Sequence, residues 1–183
     1  MTRDEAMALL KSHIKADNLI SHMTAVEAAM RAYARRFGED EDKWALAGLL
    51  HDIDYEECPQ LETHSLKAAE MLAAAGLPGD LCHAVKAHNE HHGVPREDLL
   101  SRALFAVDEL TGFIVAVALV RPSRKLADVE PKSVKKKMKD KSFAAAVNRE
   151  QLVTSAEELG VDFTEHVTIV LDAMKAIAGE LGL

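Results

Sequence analysis

The chain has 183 residues, 48% of them apolar, 28% charged and 4% aromatic, and a formal net charge of −8. That length suits one compact domain, which buries roughly 70% of its unfolded surface and folds without disulfides or a structural metal. The apolar fraction excludes a disordered chain, and nine glycines and five prolines exclude collagen-like or proline-rich architecture.

Abundant Ala, Leu, Glu and Lys with few aromatics favour helices. Thr2-Arg3-Asp4-Glu5 is a capping box and predicts a first helix to about Ile14. Asn18 can cap a second through Phe37, stopped by Gly38. The acidic run Glu39–Asp42 suits the positive dipole end of a third, which carries Trp44, Leu46, Leu49 and Leu50 and ends near Asp52. Thr63 can cap a helix that stops at Gly76, and Asp80 begins one through His92, closed by Gly93. A long helix follows from about Arg96 to Val120, ended by Pro122. Pro131 suits the first turn of a basic helix. A helix from about Ala144 to Leu159 ends at Gly160, and Asp162-x-x-Glu165 caps the last one, through Ala178. No window alternates with period two, so the expected fold class is all-α.

The charged, amphipathic start from Met1 to His13 has no apolar signal core. The longest apolar stretch, Phe113 to Val120, falls far short of the ~20 residues of a membrane span. Two cysteines, Cys58 and Cys82, do not make a disulfide framework. A cytoplasmic, reduced protein with no membrane partner is expected. Charge is uneven: Arg121 to Lys141 holds nine basic and three acidic residues, which leaves the remainder at −14. The basic block can attract phosphates or form a solvated Lys-rich face, and the acidic remainder argues against a nucleic-acid polymer as partner.

Two places in the apolar helices need explaining. His51-Asp52 follows the apolar run Trp44–Leu50, and an adjacent His and Asp there need a mutual hydrogen bond or a metal ion. Asp108 sits inside the apolar stretch Ala103–Leu119, where a carboxylate needs a cation, a donor or a route to water. If that helix is central, either Asp108 or Glu109 points near the core.

His22, His51-Asp52 and Asp108, on successive helices, resemble the H…HD…D pattern of the HD-domain superfamily of metal-dependent phosphohydrolases. The segment Leu49-Leu-His-Asp-Ile53 is similar to its central signature. The resemblance spans roughly residues 18–122. His64 and His88 extend it to H…HD…H…H…D, the two-metal branch. It implies an HD-domain helical bundle over residues 1–127, with residues 128–183 a helical extension packed on the same domain. It further implies one metal on His22, His51, Asp52 and Asp108 and a second on His64 and His88, with Asp52 bridging. His64 as a helix-start residue and His88 as a surface residue are the other readings. Two divalent transition ions, among iron, manganese, cobalt and nickel, suit these donors.

The reaction implied is attack of an activated water on a phosphate ester or anhydride of a small phosphorylated substrate, a nucleotide foremost, with Asp52 and Tyr55 catalytic. Tyr55 stands where many members carry a Lys that helps hold phosphate. Asp54 can orient a ligand histidine, and His91 or His92, one turn beyond His88, can reach substrate or support a ligand. Arg121, Arg124 and Lys125, following the Asp108 helix, are the candidate substrate-binding cations. No GYP motif follows the HD pair, so the cyclic-di-GMP branch is not supported. A diiron oxygenase of the same fold and a non-catalytic nucleotide sensor are the alternatives. The apolar face Val167, Ile169, Val170, Met174 and Ile177 packs back on the core or forms a homodimer.

Overall fold

A computed structural model describes all 183 residues, as ten α-helices, two 3₁₀ turns and no strand. The capping box at Thr2 starts α1 (Arg3–His13), and Gly38, with φ of 73°, closes α2 (Asp17–Phe37). Asp40 caps α3 (Glu41–Leu50) by accepting from the Asp42 and Lys43 amides. The short helices α4 (Leu66–Ala74) and α5 (Gly79–Ala87) lead to a 3₁₀ turn at Glu90–His92. The central helix is α6 (Leu99–Leu119), and a second 3₁₀ turn at Leu126–Asp128 precedes α7 (Pro131–Met138), which has Pro131 in its first turn. Last come α8 (Arg149–Glu158), α9 (Phe163–Ala176) and the single turn α10 (Ala178–Leu181).

Several ends differ from the sequence expectation, each for a local reason. Asn18 is not a cap: α2 begins at Asp17, and the Glu56 carboxylate accepts from the amides of Lys15 and Ala16 just before it. Thr63 turns back to the Gln60 carbonyl, and Ser65 starts α4 instead, at φ of 70°. The helix expected through His92 breaks after Ala87, where Asn89 accepts from the His91 amide. Asp98 caps α6 three residues later than expected, by accepting from Ser101. Arg149 donates to the carbonyls of Asp140, Phe143, Ala144 and Val147, which holds that stretch in turns and delays α8 to Arg149.

One apolar core runs from Ala6 on α1 to Leu181 on α10. Trp44, Tyr33 and Phe113 are its largest fully buried side chains. The C-terminal helices pack back on the bundle, α9 against α2 and α6, α8 against α6. Cys58 and Cys82 are free thiols. No helix is long and apolar enough to cross a membrane.

Two contacts set the positions of the central helices. At Gly48, α3 approaches α2 so closely that a Cβ would lie 2.9 Å from the backbone of Val26 and Glu27. Deep in the core, the Tyr33 hydroxyl donates to His166 Nδ1 (2.5 Å), and His166 Nε2 donates to the Ala106 carbonyl (3.0 Å), which ties together α2, α9 and α6. Burial holds His166 down to about 4, so it is neutral there.

Gly48→Ala forces α3 away from α2, because the obstructing atoms are backbone. The expected loss is about 2 kcal/mol of unfolding free energy by denaturant titration, despite the better helix propensity of Ala. His166 makes stability pH-dependent. Between pH 6.5 and 4 the unfolded chain binds its proton and the folded chain does not, so stability falls as pH falls, by about 3 kcal/mol over that window. Unfolding of His166→Gln compared with the unmodified chain across the same window should show that slope lost.

Candidate metal centre

Six side chains from five parts of the chain meet at one end of the bundle. His22 comes from the second turn of α2, His51 and Asp52 from the end of α3, His64 from the turn before α4, His88 from the end of α5, and Asp108 from the middle of α6. Asp52 is their hub. Its Oδ1 lies 3.3 Å from His51 Nε2, 3.2 Å from His64 Nε2 and 3.3 Å from His88 Nε2, and its Oδ2 lies 3.9 Å from His22 Nε2. Asp108 Oδ1 lies 3.0 Å from His22 Nε2 and 3.4 Å from His51 Nε2. His51, Asp52, His64 and His88 are buried, and His22 and Asp108 are half-buried.

All four histidines carry a partner on the other ring nitrogen. Nδ1 of His51 donates to the Gly48 carbonyl (2.8 Å), and Nδ1 of His88 donates to the Val85 carbonyl (2.6 Å). These two residues follow the last turns of α3 and α5, where carbonyls lack helical partners. His64 Nδ1 donates to Asp54 Oδ1 (2.9 Å). The Thr111 hydroxyl donates to the Asp108 carbonyl, which leaves its oxygen facing His22 Nδ1 at 3.4 Å. Each anchor fixes the tautomer that turns a lone pair on Nε2 inward, as a metal ligand requires.

Asp54 is a buried brace. Its second oxygen accepts from the amides of Ser65 and Ala68, which pins the start of α4 and the left-handed Ser65 beside His64. The orienting role expected of Asp54 is the geometry found here. His92 Nε2 lies 2.7 Å from the His64 carbonyl, and Asn89 donates to that same carbonyl and to Leu61.

The donor set fits a divalent cation. His51 Nε2 and Asp52 Oδ1 are buried and have no hydrogen-bond partner in the protein, an expensive state unless an ion satisfies them. Donor separations of 3.0–3.4 Å match the edges of a coordination polyhedron with bonds of about 2.1 Å. Two groups share His51: His22, His51 and Asp108, and His51, Asp52 and His88. Proton affinities agree. Burial opposes charge on His51, but Asp52 and Asp108 outweigh it and raise its pKa to about 9. Against the same burial, Asp52 and Asp54 raise His64 to about 10. Despite burial, the surrounding imidazoles hold both Asp52 and Asp108 well below the usual carboxylate range. The cluster is built for added positive charge, and the C-terminal ends of α3 and α5 point the negative ends of their dipoles at it.

Above the cluster lies a cavity of about 810 Å³. Asp52, His64, His88 and Asp108 form its floor, and Tyr55, 39% exposed and set edge-on to His64, stands at the rim with Leu61. Asn89, Glu90, His91, Glu109, Ala146, Asn148 and Gln151 complete the wall. Sequence reasoning did not assign Asn148 or Gln151. They arrive on the 140–151 segment, where the Asn148 amide donates to Glu109 Oε1 (3.0 Å), and only the adjacency of Glu109 to Asp108 gave any hint.

Arg121, Arg124 and Lys125 do not reach this cavity. The α6 helix carries the chain about 17 Å beyond Asp108 before it ends at Leu119. Arg121 there donates to the Ser133 hydroxyl and lines a separate surface depression with Asp128 and Glu130, while Arg124 and Lys125 are exposed. The expected substrate-binding cations Arg121, Arg124 and Lys125 therefore lie outside the lining of this cavity.

Metal binding must compete with protons. Below pH 9, His51 and His64 of metal-stripped protein carry protons that an entering ion displaces. Calorimetry with Mn²⁺ in buffers of different ionisation enthalpy should show release of one to two protons near pH 7 and apparent affinity rising with pH. Binding without proton release shows that both imidazoles are already neutral in the metal-stripped protein.

Comparison with known proteins came to a single family. The HD domain family matches residues 19–112, a span that holds all six clustered residues. Ribonuclease Y of Syntrophobacter fumaroxidans is 29% identical over 170 residues, 91% of this chain and 32% of that protein. Ribonuclease Y of Oleidesulfovibrio alaskensis is 32% identical over 96 residues, 52% of this chain and 18% of that protein. The chain thus spans about a third or less of the length of these relatives. No solved structure gave a significant match. With a family match over half its length and the full histidine–aspartate pattern inside that match, the chain belongs to the HD domain family.

Proposed function

We propose that the chain is a metal-dependent phosphohydrolase that cleaves a phosphate ester or anhydride of a small molecule, a nucleotide foremost. One observation carries this: four imidazoles, each with a partner at Nδ1, turn Nε2 toward Asp52 and Asp108, and the buried Oδ1 of Asp52 has no hydrogen-bond partner. Family membership and the ribonuclease relatives point in the same direction, to a hydrolase.

The reading takes two divalent transition ions, one on His22, His51, Asp52 and Asp108, the other on His64 and His88, with Asp52 shared. Iron, manganese, cobalt and nickel suit this donor set. Bound there, the ions lower the pKa of water toward neutrality and hold phosphoryl oxygens. The protein's own groups do the positioning. Asp52 presents one oxygen to His51, His64 and His88 and the other to His22, so a single carboxylate serves both halves. Asp54 keeps the proton of His64 on Nδ1, away from the cluster. Tyr55 offers a neutral hydroxyl at the rim, able to donate to a phosphoryl oxygen.

The relatives' name favours RNA as a second reading, with the same bond cleaved in a polymer. The cavity speaks for the smaller substrate, because no Lys or Arg lines it to hold a phosphate backbone.

The deciding screen uses metal-reconstituted protein with nucleotides, phosphomonoesters and an RNA oligonucleotide, read by phosphate release, fragment length and oxygen uptake. Metal-dependent release from a small compound is expected, without oxygen consumption. Asp52→Asn should lower turnover at least about a thousandfold at unchanged helix content. Tyr55→Phe should lower kcat about tenfold with metal content intact. Oxygen uptake without phosphate release establishes the oxygenase alternative, and tight nucleotide binding without turnover establishes a sensor.

A further inference from the structure

The cavity wall combines a roomy shape with an unusual charge pattern. Its volume, about 810 Å³, lies in the upper part of the range for small-molecule sites, so size alone admits a nucleoside triphosphate. Its charge does not. The lining holds Asp52, Asp108, Glu90 and Glu109 and no ammonium or guanidinium group. Glu90 has a counter-ion behind the wall, since Arg96 lies 3.5 Å away, packed over the Phe105 ring. Glu109 has none in contact. Its Oε1 accepts from the Asn148 amide, and its Oε2 is buried with no partner. Arg149, the guanidinium whose charge acts on Glu109, is committed to the carbonyls of the 140–147 turn.

Two divalent ions bring four positive charges, and Asp52, Asp108 and Glu109 offset three, which leaves about one. A phosphodiester carries one negative charge and a phosphomonoester about two. A triphosphate brings more negative charge than the site can compensate, into a wall that already holds an unpaired carboxylate.

We propose that this cavity selects substrates with a single phosphoryl group, monoester or diester, and turns away di- and triphosphates, with Glu109 as the specificity-determining residue. Glu109 acts through its charge at the wall, since its Oε1 is held by the Asn148 amide and its Oε2 is buried. This rests on the hydrolase reading above and narrows it to a substrate class.

The test uses the full-length, Mn²⁺-loaded protein and two independent readouts. The first is kcat/KM for adenosine mono-, di- and triphosphate and for a 3′,5′-linked dinucleotide. The second is calorimetric affinity for the methylene-phosphonate analogues of the mono- and triphosphate, which needs no turnover. The monophosphate or the dinucleotide should exceed the triphosphate at least tenfold by rate, and the monophosphate analogue should exceed its triphosphate counterpart by affinity. Glu109→Gln preserves the shape and the acceptor for the Asn148 amide, and should cut that preference about tenfold. Gln151→Lys adds a cation to the same wall without touching Glu109, and should shift preference in the same direction. Equal handling of mono- and triphosphate by the unmodified protein overturns the proposal and leaves the hydrolase reading standing. A preference unmoved by either variant overturns the role of the wall charge. If nothing is hydrolysed, the hydrolase reading fails, and the analogue affinities still decide the charge selection.

Discussion

A single buried carboxylate oxygen organises this protein. Asp52 Oδ1 has three imidazole nitrogens within 3.3 Å and no hydrogen bond from any of them or from the backbone. Left alone, such an atom is destabilising by a few kcal/mol. The protein does not relieve it with a nearby hydroxyl or amide. Instead it spends four separate acceptors, the Gly48 and Val85 carbonyls, Asp54 and Thr111, on turning the surrounding rings so that Nε2 faces inward. Occupying the outward nitrogen and aiming the inward one at a shared carboxylate suits a cation, a proton or a metal ion, on the inward side.

The helix framework follows from the same demand. His51 and His88 sit just past the ends of α3 and α5 and use the same local bond, Nδ1 to the carbonyl three residues earlier. That bond satisfies a terminal carbonyl and aims the ring in one stroke. It also brings two negative helix ends to a site that favours cations. Gly48 adds the long-range condition. Its missing side chain lets α3 lie against the backbone of α2, and α2 carries His22. The Tyr33–His166–Ala106 chain fixes α9 and α6 against α2 by hydrogen bonds deep in the core, so the helix bearing Asp108 has little freedom to drift.

Much of this was legible in the sequence, for a physical reason. Polar residues inside apolar helices are costly, so His51-Asp52 and Asp108 stand out against Trp44–Leu50 and Ala103–Leu119, and helix existence follows from apolar spacing and caps. Helix ends were less legible, because side chains from elsewhere decide them: Glu56 engages the chain ahead of α2, Asp54 the start of α4, and Arg149 the turns before α8. The cavity wall was less legible still. Asn148 and Gln151 lie forty residues from Asp108 and reach it only because the Arg149 guanidinium folds the 140–147 stretch into turns. The basic residues after α6 misled for the opposite reason. Proximity in sequence suggested proximity in space, whereas the rest of α6 beyond Asp108 separates them from the cavity lining at about 1.5 Å per residue.

The distribution of charge ties these points together. The chain has cations to spare between Arg121 and Lys141, yet they lie beyond the far end of α6 or on α7, and the cavity is walled with carboxylates, amides and imidazoles. Lys or Arg in that wall would compete with the ions that the histidines are aimed to hold, since positive charge nearby lowers cation affinity as directly as protonating a ligand does. With side-chain cations kept out, the positive charge the floor favours is left to whatever binds there, and under the proposed selection the same exclusion limits how much negative charge a guest can bring. Metal affinity and substrate charge are therefore two readings of one electrostatic balance, with Asp52 at its centre and Glu109 at its edge.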